Sequence, residues 1–194
     1  MDALSDHEII HRVLSGHTRS FSELVERHQD RAMTLAMRLL RNREEAEEAV
    51  QDAFVRAYRA LERFEKRSSF STWLYRIVFN VCSTALSKRG EQLQQVSVEK
   101  NDGVPVDEIP DLGEIPDSIV EGEEFKRDVV DAMNELPPLY GGIATMFYLD
   151  DLSYEEIAKI TGSPLGTVKA RLFRARAMLR DGIVRRTGLR ELAG

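Results

Sequence analysis

Residues Ser153–Arg180 read S-Y-E-E-I-A-K-I-T-G-S-P-L-G-T-V-K-A-R-L-F-R-A-R-A-M-L-R, a stretch with two helix starts whose helices are separated by a tight turn. Ser153 and Glu156 form an S-x-x-E capping box, whose side chains satisfy free amides at a helix start. A short helix over Tyr154–Thr161 follows, and Gly162 suits its C-terminal turn. Ser163 is then predicted to cap a second helix, with Pro164 at the first helical position, where its missing N–H costs nothing. Two helices joined by a tight glycine-containing turn make a helix-turn-helix.

The second helix has two unlike faces. Leu165, Val168, Leu172, Ala175 and Leu179 recur at three- and four-residue steps and predict one buried stripe. The opposite face carries Thr167, Ala170, Phe173, Arg174 and Ala177, flanked by Lys169, Arg171 and Arg176. Such a face suits the DNA major groove. Arginine pairs with guanine O6 and N7, while small or aromatic apolar groups touch the thymine methyl. Phe173 is informative, because a large aromatic on the polar face has no evident core role. The competing reading is a solvated basic face on an ordinary helix hairpin, but caps, turn and surface pattern agree on a DNA reader.

A 194-residue chain accommodates one domain or two small ones, and 42% hydrophobic content is enough for compact cores. No apolar run approaches the roughly 20 residues that span a bilayer, and no basic-then-apolar leader opens the chain. Cys82 is the single cysteine, so no internal disulfide forms and nothing suggests secretion. A cytoplasmic protein without membrane insertion is the expectation. His7 and His11 stand four apart on one helix, but without cysteines or a third ligand no metal site is expected. No cofactor motif is present.

The net charge of −6 conflicts at first sight with DNA binding, because phosphate contacts supply most non-specific affinity. Its distribution removes the conflict. From Pro164 to the C-terminus eight Lys/Arg face two acids, whereas Glu91–Glu121 holds nine acids and one base, Lys100. A basic reading end and an acidic middle predict weak DNA binding by the isolated chain, with a larger partner supplying the rest.

Taken in order, Ser5 and Glu8 cap a first helix that ends near Ser15-Gly16. Ser20 with Glu23 is predicted to start a second, with Phe21, Leu24, Val25, His28, Ala32, Leu35, Ala36 and Leu39 toward the core. Asn42 with Glu45 starts a third, running to about Leu61. Its inner face is Ala46, Val50, Ala53, Ala57 and Leu61, and its outer face is Glu48, Gln51, Asp52, Val55 and Arg59. A loop, Phe64-Glu65-Lys66-Arg67-Ser68-Ser69, leads to a helix over about Phe70–Arg89, with Gly90 as its cap. Leu74, Ile77, Val78, Val81 and Ala85 form that helix's core stripe, and Arg76, Asn80, Ser83 and Ser87 a polar one. Aromatic Phe64, Phe70, Trp73, Tyr75 and Phe79 interleave here with Lys66, Arg67 and Arg76. Single-stranded DNA binding needs this mixture, since bases stack on rings while cations hold the backbone. Phe70 and Trp73 fit a core role equally well.

Residues 91–122 lose helical periodicity and read as an acidic flexible linker with Pro105, Pro110 and Pro116. Roughly 30 residues reach up to about 100 Å when extended. Helical pattern returns at Ser118/Glu121 and runs to about Leu136, where Pro137-Pro138 breaks it. A helix over Tyr140–Tyr148 contains Gly141-Gly142, a local weakness. Beyond Gly182 the residues Arg185, Arg186 and Arg190 read as a frayed basic tail. The reading is therefore all-α: residues 1–90 and 123–194 form two small helical domains joined by the linker 91–122.

Three blocks, F-S-E-L-V-E-R-H, E-E-A-E-E-A-V-Q-D-A-F-V-R-A-Y-R-A-L-E-R-F and F-S-T-W-L-Y-R-I-V-F-N, resemble region 2 of bacterial sigma factors. L-P-P-L-Y followed by D-L-S-Y-E-E-I-A-K-I-T-G-S-P-L-G-T-V-K-A-R-L-F-R-A-R resembles region 4. Both blocks, their order and the linker are similar to the extracytoplasmic-function sigma factors, and the likeness covers nearly the whole chain. It implies stress-responsive transcription initiation, with core RNA polymerase and promoter DNA as partners and an anti-sigma factor, soluble or membrane-bound, as regulator. Region 4 reads the −35 duplex in that family, which implies base contacts for Lys169, Ala170, Phe173 and Arg174, beside Thr167, and phosphate contacts for Arg171 and Arg176. Region 2 melts the −10 element. The resemblance puts the capture of a flipped base at Asn80 and the loop Phe64–Ser69 (Lys66, Arg67 and Ser68 included), next to Trp73, Arg76 and Ser83. It also implies that Gln51, Asp52 and Val55, flanked by Glu48 and Arg59, meet the polymerase clamp. The linker resembles the family's connector, which threads into the polymerase, where Asp102, Asp107, Glu108 and Asp111 would mimic nucleic acid. Gly141-Gly142 departs from the family pattern, since many relatives carry charged residues there. The alternative is a stand-alone helix-turn-helix regulator, which leaves the aromatic and polar helix around Trp73 unexplained. No G-x-x-x-x-G-K, H-E-x-x-H or Cys-His constellation points to an enzyme.

Overall fold

The computed structural model describes residues 4–65, 68–90 and 123–187. Every regular element among them is helical: α1 (Asp6–Leu14), α2 (Phe21–Leu40), α3 (Arg43–Ala60), α4 (Phe70–Lys88), α5 (Glu123–Glu135), α6 (Pro138–Tyr148), α7 (Tyr154–Thr161) and α8 (Leu165–Thr187). Two compact units divide the chain, one of Met1–Gln92 with Lys159–Gly162 and the other of Leu93–Ala158 with Ser163–Gly194. The linker, the Ser118/Glu121 capping box, Lys66, Arg67 and Arg190 lie outside the described residues.

In the first unit α2, α3 and α4 pack on one another and α1 closes one side. The α1 capping box forms as predicted, Ser5 Oγ accepting from the Glu8 amide and the Glu8 carboxylate from the Ser5 amide. Asp6 ties α1 to α2, accepting from Arg27 at 2.5 Å and lying 2.8 Å from Nε2 of the buried His28. Arg41 turns left-handed at φ 54°, and Asn42 then caps α3 by accepting from the Glu45 amide at 3.1 Å. Leu24, Ala36, Leu39, Ala46, Ala53, Leu74 and Val78 are among the core residues. Burial also pushes the Cys82 thiol up to about 12, which keeps it protonated and inert.

Ile77 and Ala85, assigned to the core stripe of α4, are only half-buried, and two further expectations for this unit change. Ser20 does not cap α2 with its side chain. A 3-10 turn over Thr18–Ser20 runs straight into α2, so Ser20 is already helical (φ −63°, ψ −13°). A capping hydroxyl works from an extended residue, and Ser20 is past that point. Phe21 and Val25, assigned to the core, are only half-buried and wall a groove instead.

The second unit is built on Ala132, Met133, Leu136, Tyr140, Ala144, Ala175, Leu179 and Ile183, which join α5, α6 and α8 in one core. Three sequence readings shift here. Leu165 is 38% exposed, because it stands in the first turn and the buried stripe begins at Val168. The carbonyl of Pro164 accepts the first helical bond, from the Val168 amide at 3.1 Å, so Pro164 is the boundary residue and Ser163 precedes it. The chain past Gly182 stays helical to Thr187. Buried Ile183 anchors it, and a Cβ added at Gly182 would come within 3.2 Å of Ala132 Cβ on α5. Arg186 completes the clamp by donating to Glu135, with Nη1–Oε2 at 3.1 Å.

Candidate nucleic-acid interface

The helix-turn-helix forms on the predicted residues. Ser153 and Glu156 make the capping box of α7, with the Glu156 carboxylate accepting from the Ser153 amide at 3.0 Å and its hydroxyl at 2.9 Å. Gly162 stands between the helices at φ 65°, a backbone conformation open to glycine without strain. On α8, Val168, Leu172, Ala175 and Leu179 are buried, whereas Thr167, Lys169, Ala170, Phe173, Arg174, Arg176 and Ala177 are all half-buried. Six of the seven residues proposed for DNA therefore keep surface to offer.

Arg171 is the exception. Only 8% of it is exposed, and its Nη1 donates to Ser163 Oγ at 3.0 Å. Long side chains on a helix lean toward its N-terminus, which brings Arg171 back over the turn. Burial lowers the guanidinium's pKa and nearby Tyr140 opposes that shift, while the buried Nε has no hydrogen-bond partner. In this arrangement Arg171 braces the turn and is not presented to a phosphate.

A second cluster surrounds the start of α4. Ser69 caps that helix, accepting from the Thr72 amide at 3.1 Å. Phe64 packs between His7, Phe70 and Trp73, with ring centroids at 6.1, 6.0 and 5.1 Å. Phe70, Tyr75 and Phe79 are core residues, whereas Phe64 and Trp73 are half-buried. Arg76 and Asn80 are exposed on α4, and Ser83 continues their stripe half-buried. Ser68 is half-buried beside the cap. An exposed polar stripe thus runs along α4 from a partly open pair of rings.

The outer face of α3 presents Glu48, Gln51, Val55 and Arg59 as exposed residues and Asp52 as half-buried. Asp52 is engaged along its own helix, accepting from Arg56 Nε at 3.0 Å, which raises the Arg56 pKa. Gln51 and Val55 also line a groove of about 610 Å³ between α2 and α3, with Phe21, Val25, Phe54 and Tyr58. Tyr58 is 42% exposed and packs on Phe21 edge-on at 5.1 Å. The sequence reading missed Tyr58, although its position three residues after Val55 places it on the same helix face.

Among the described residues no group of three His, Cys, Asp or Glu side chains is placed to hold a metal ion, and no helix is long and apolar enough to cross a membrane.

Residues 24–92 match the family description Sigma-70 region 2, and residues 126–179 match Sigma-70, region 4. The chain is 34% identical over 184 residues to the ECF RNA polymerase sigma-E factor of Haemophilus influenzae, covering 94% of this chain and 97% of that protein. It is 36% identical over 177 residues to the sigma-E factor of Escherichia coli, covering 90% and 92%. The fold is shared with CnrH, solved in complex with the cytosolic domain of CnrY (TM-score 0.59, 23% identity, 90% of this chain and 94% of that one). It is shared also with the sigma factor RpoE, solved with the anti-sigma factor NepR from Bartonella quintana (TM-score 0.59, 24% identity, 85% and 97%). The chain belongs to the extracytoplasmic-function sigma factors, which act with RNA polymerase in transcription initiation.

Proposed function

We propose that this sigma factor divides promoter recognition between the two surfaces described above. The polar face of α8, with Thr167, Lys169, Ala170, Phe173, Arg174 and Arg176, reads the −35 duplex. Phe64, Ser68, Trp73, Arg76, Asn80 and Ser83 hold the melted −10 strand, and by the sequence resemblance Lys66 and Arg67 contribute to the same contact. The observation that carries this reading is the pairing, on one chain, of a groove-reading helix with an exposed polar stripe flanked by half-buried rings. Removing a base from the stack costs a few kcal/mol, which ring stacking and edge hydrogen bonds at such a stripe can offset.

The groove between α2 and α3, with Gln51, Asp52, Val55, Glu48 and Arg59 around it, takes the polymerase, which supplies the affinity that a chain of net charge −6 lacks. The protein works in the cytoplasm without catalytic groups of its own. An anti-sigma factor, soluble or membrane-bound, holds it inactive, as the structure of RpoE with the anti-sigma factor NepR suggests by analogy. Transcription with purified core polymerase on a randomised promoter library tests the whole reading. Transcripts starting downstream of a shared two-element motif are expected. Tight binding of the isolated chain to one duplex, with no effect on core polymerase, would show a stand-alone regulator instead.

A further inference from the structure

Tyr154 is the first residue of α7 and half-buried. Its ring stacks on Phe147 of α6, with centroids 5.0 Å apart and planes within 6°. Phe147 is in turn held edge-on by Tyr148 at 5.0 Å. Above this anchored ring sits the ammonium of Lys169, with Nζ 5.7 Å from the Tyr154 centroid. That distance is within the range where the ring's negative face attracts a cation.

A lysine on a reading face has four rotatable bonds, and ordering them opposes binding. A carboxylate partner would order the side chain but neutralise it. An aromatic ring orders the ammonium and leaves its full charge and its N–H donors for another acceptor. We infer that Tyr154 is a positioning residue for duplex reading, fixing Lys169 in its DNA-competent direction through the ladder Phe147–Tyr154–Lys169. The inference rests on the assignment of Lys169 to the −35 duplex.

Holoenzyme reconstituted from core polymerase and each full-length variant would be bound to promoter fragments randomised over the −35 element. Tyr154→Leu is expected to weaken the preferred sequences roughly two- to five-fold. It should flatten preference at the same base positions that Lys169→Met flattens. Tyr154→Phe retains the ring face and should restore both properties. In the Lys169→Met background Tyr154→Leu should cost nothing further, since the two act as one unit. An equal loss in both backgrounds overturns the inference, as does a Phe variant that behaves like Leu, or a gain in affinity showing that the ring parks Lys169 away from DNA. If Tyr154→Leu unfolds the module, Tyr154→Phe and Tyr154→Trp decide: preference graded with ring strength supports the inference, and indifference overturns it. A Lys169→Met variant with unchanged preference everywhere removes the assignment of Lys169 itself, and the inference with it.

Discussion

Arg171 Nη1 donates to Ser163 Oγ at 3.0 Å, so a cation in the second turn of α8 is bound to the turn residue that precedes the boundary Pro164. Arg174, one turn further along, keeps part of its surface open. The two arginines should therefore respond differently to truncation. Arg171→Ala is expected to lower the stability of the second unit by about 1–3 kcal/mol, leaving Ser163 without its donor. Arg174→Ala should change stability by less than about 0.5 kcal/mol and cost about 1–3 kcal/mol of base discrimination at one −35 position. Denaturant melts and binding to a randomised −35 library check both. Uniform weakening on all sequences by Arg171→Ala, with an unchanged melt, would return Arg171 to the phosphate contacts.

The glycines of the second unit are not equivalent. A Cβ at Gly141 would meet Leu136 Cβ at 3.7 Å, an ordinary contact, so Gly141→Ala should stabilise α6 by up to about 1 kcal/mol. At Gly182 the same atom would meet Ala132 Cβ at 3.2 Å. Gly182→Leu should therefore force α5 and α8 apart and cost about 1–3 kcal/mol. Opposite shifts in melting temperature are the expected result.

Acid should loosen the same helix pair. The hydrogen bond from Arg186 holds the Glu135 carboxyl below its ordinary value of 4.5, with Arg186 and Arg185 charges assisting. A depressed carboxylate contributes stability that is present above the unfolded value and lost as pH falls through the folded one. The melting difference between the parent and Glu135→Gln should be present near neutrality and vanish below the carboxylate range. Because the pair is exposed, the difference should be small and shrink in high salt. A difference independent of pH would exclude the ion pair as its source.

Val55 is 42% exposed at the groove between α2 and α3 and adds nothing to the closed core. Val55→Asp is expected to leave the melt within about 0.5 kcal/mol of the parent and weaken binding to core polymerase roughly ten-fold or more. Competition against the parent for a limiting amount of core enzyme measures it. Unchanged competition would move the polymerase contact off this groove.

Asn80 is exposed on α4, four residues from Arg76 along the polar stripe. Asn80→Ala should leave polymerase association intact and slow strand opening about ten-fold or more, because a captured base would lose its edge partner. Permanganate reactivity of −10 thymines reports the opening directly. Normal opening with altered polymerase binding would reassign the residue.

Much of this molecule is written in short-range pattern. Ser5/Glu8, Asn42/Glu45 and Ser153/Glu156 mark three helix starts because the bonds they make close within three residues. The outer face of α3, the polar stripe of α4 and most of the polar face of α8 follow from three- and four-residue periodicity for the same reason. Where the pattern misled, a distant residue intervened. The supposed tail after Gly182 is a helix because Arg186 meets Glu135, 51 residues earlier, and Ile183 enters a core shared with α5 and α6. Phe21 and Val25 have core periodicity, yet α2 and α3 leave a groove beside them.

By itself, then, the sequence determined the helical class, the division into two modules and the family, since caps, periodicity and motif order are properties of neighbouring residues. Tertiary structure decided which side chains remain available. It withdrew Arg171 to the turn, set Lys169 over Tyr154 and opened a groove around Val55. Those outcomes depend on how helices pack, and packing is settled by shape and distance between residues that the chain order keeps apart.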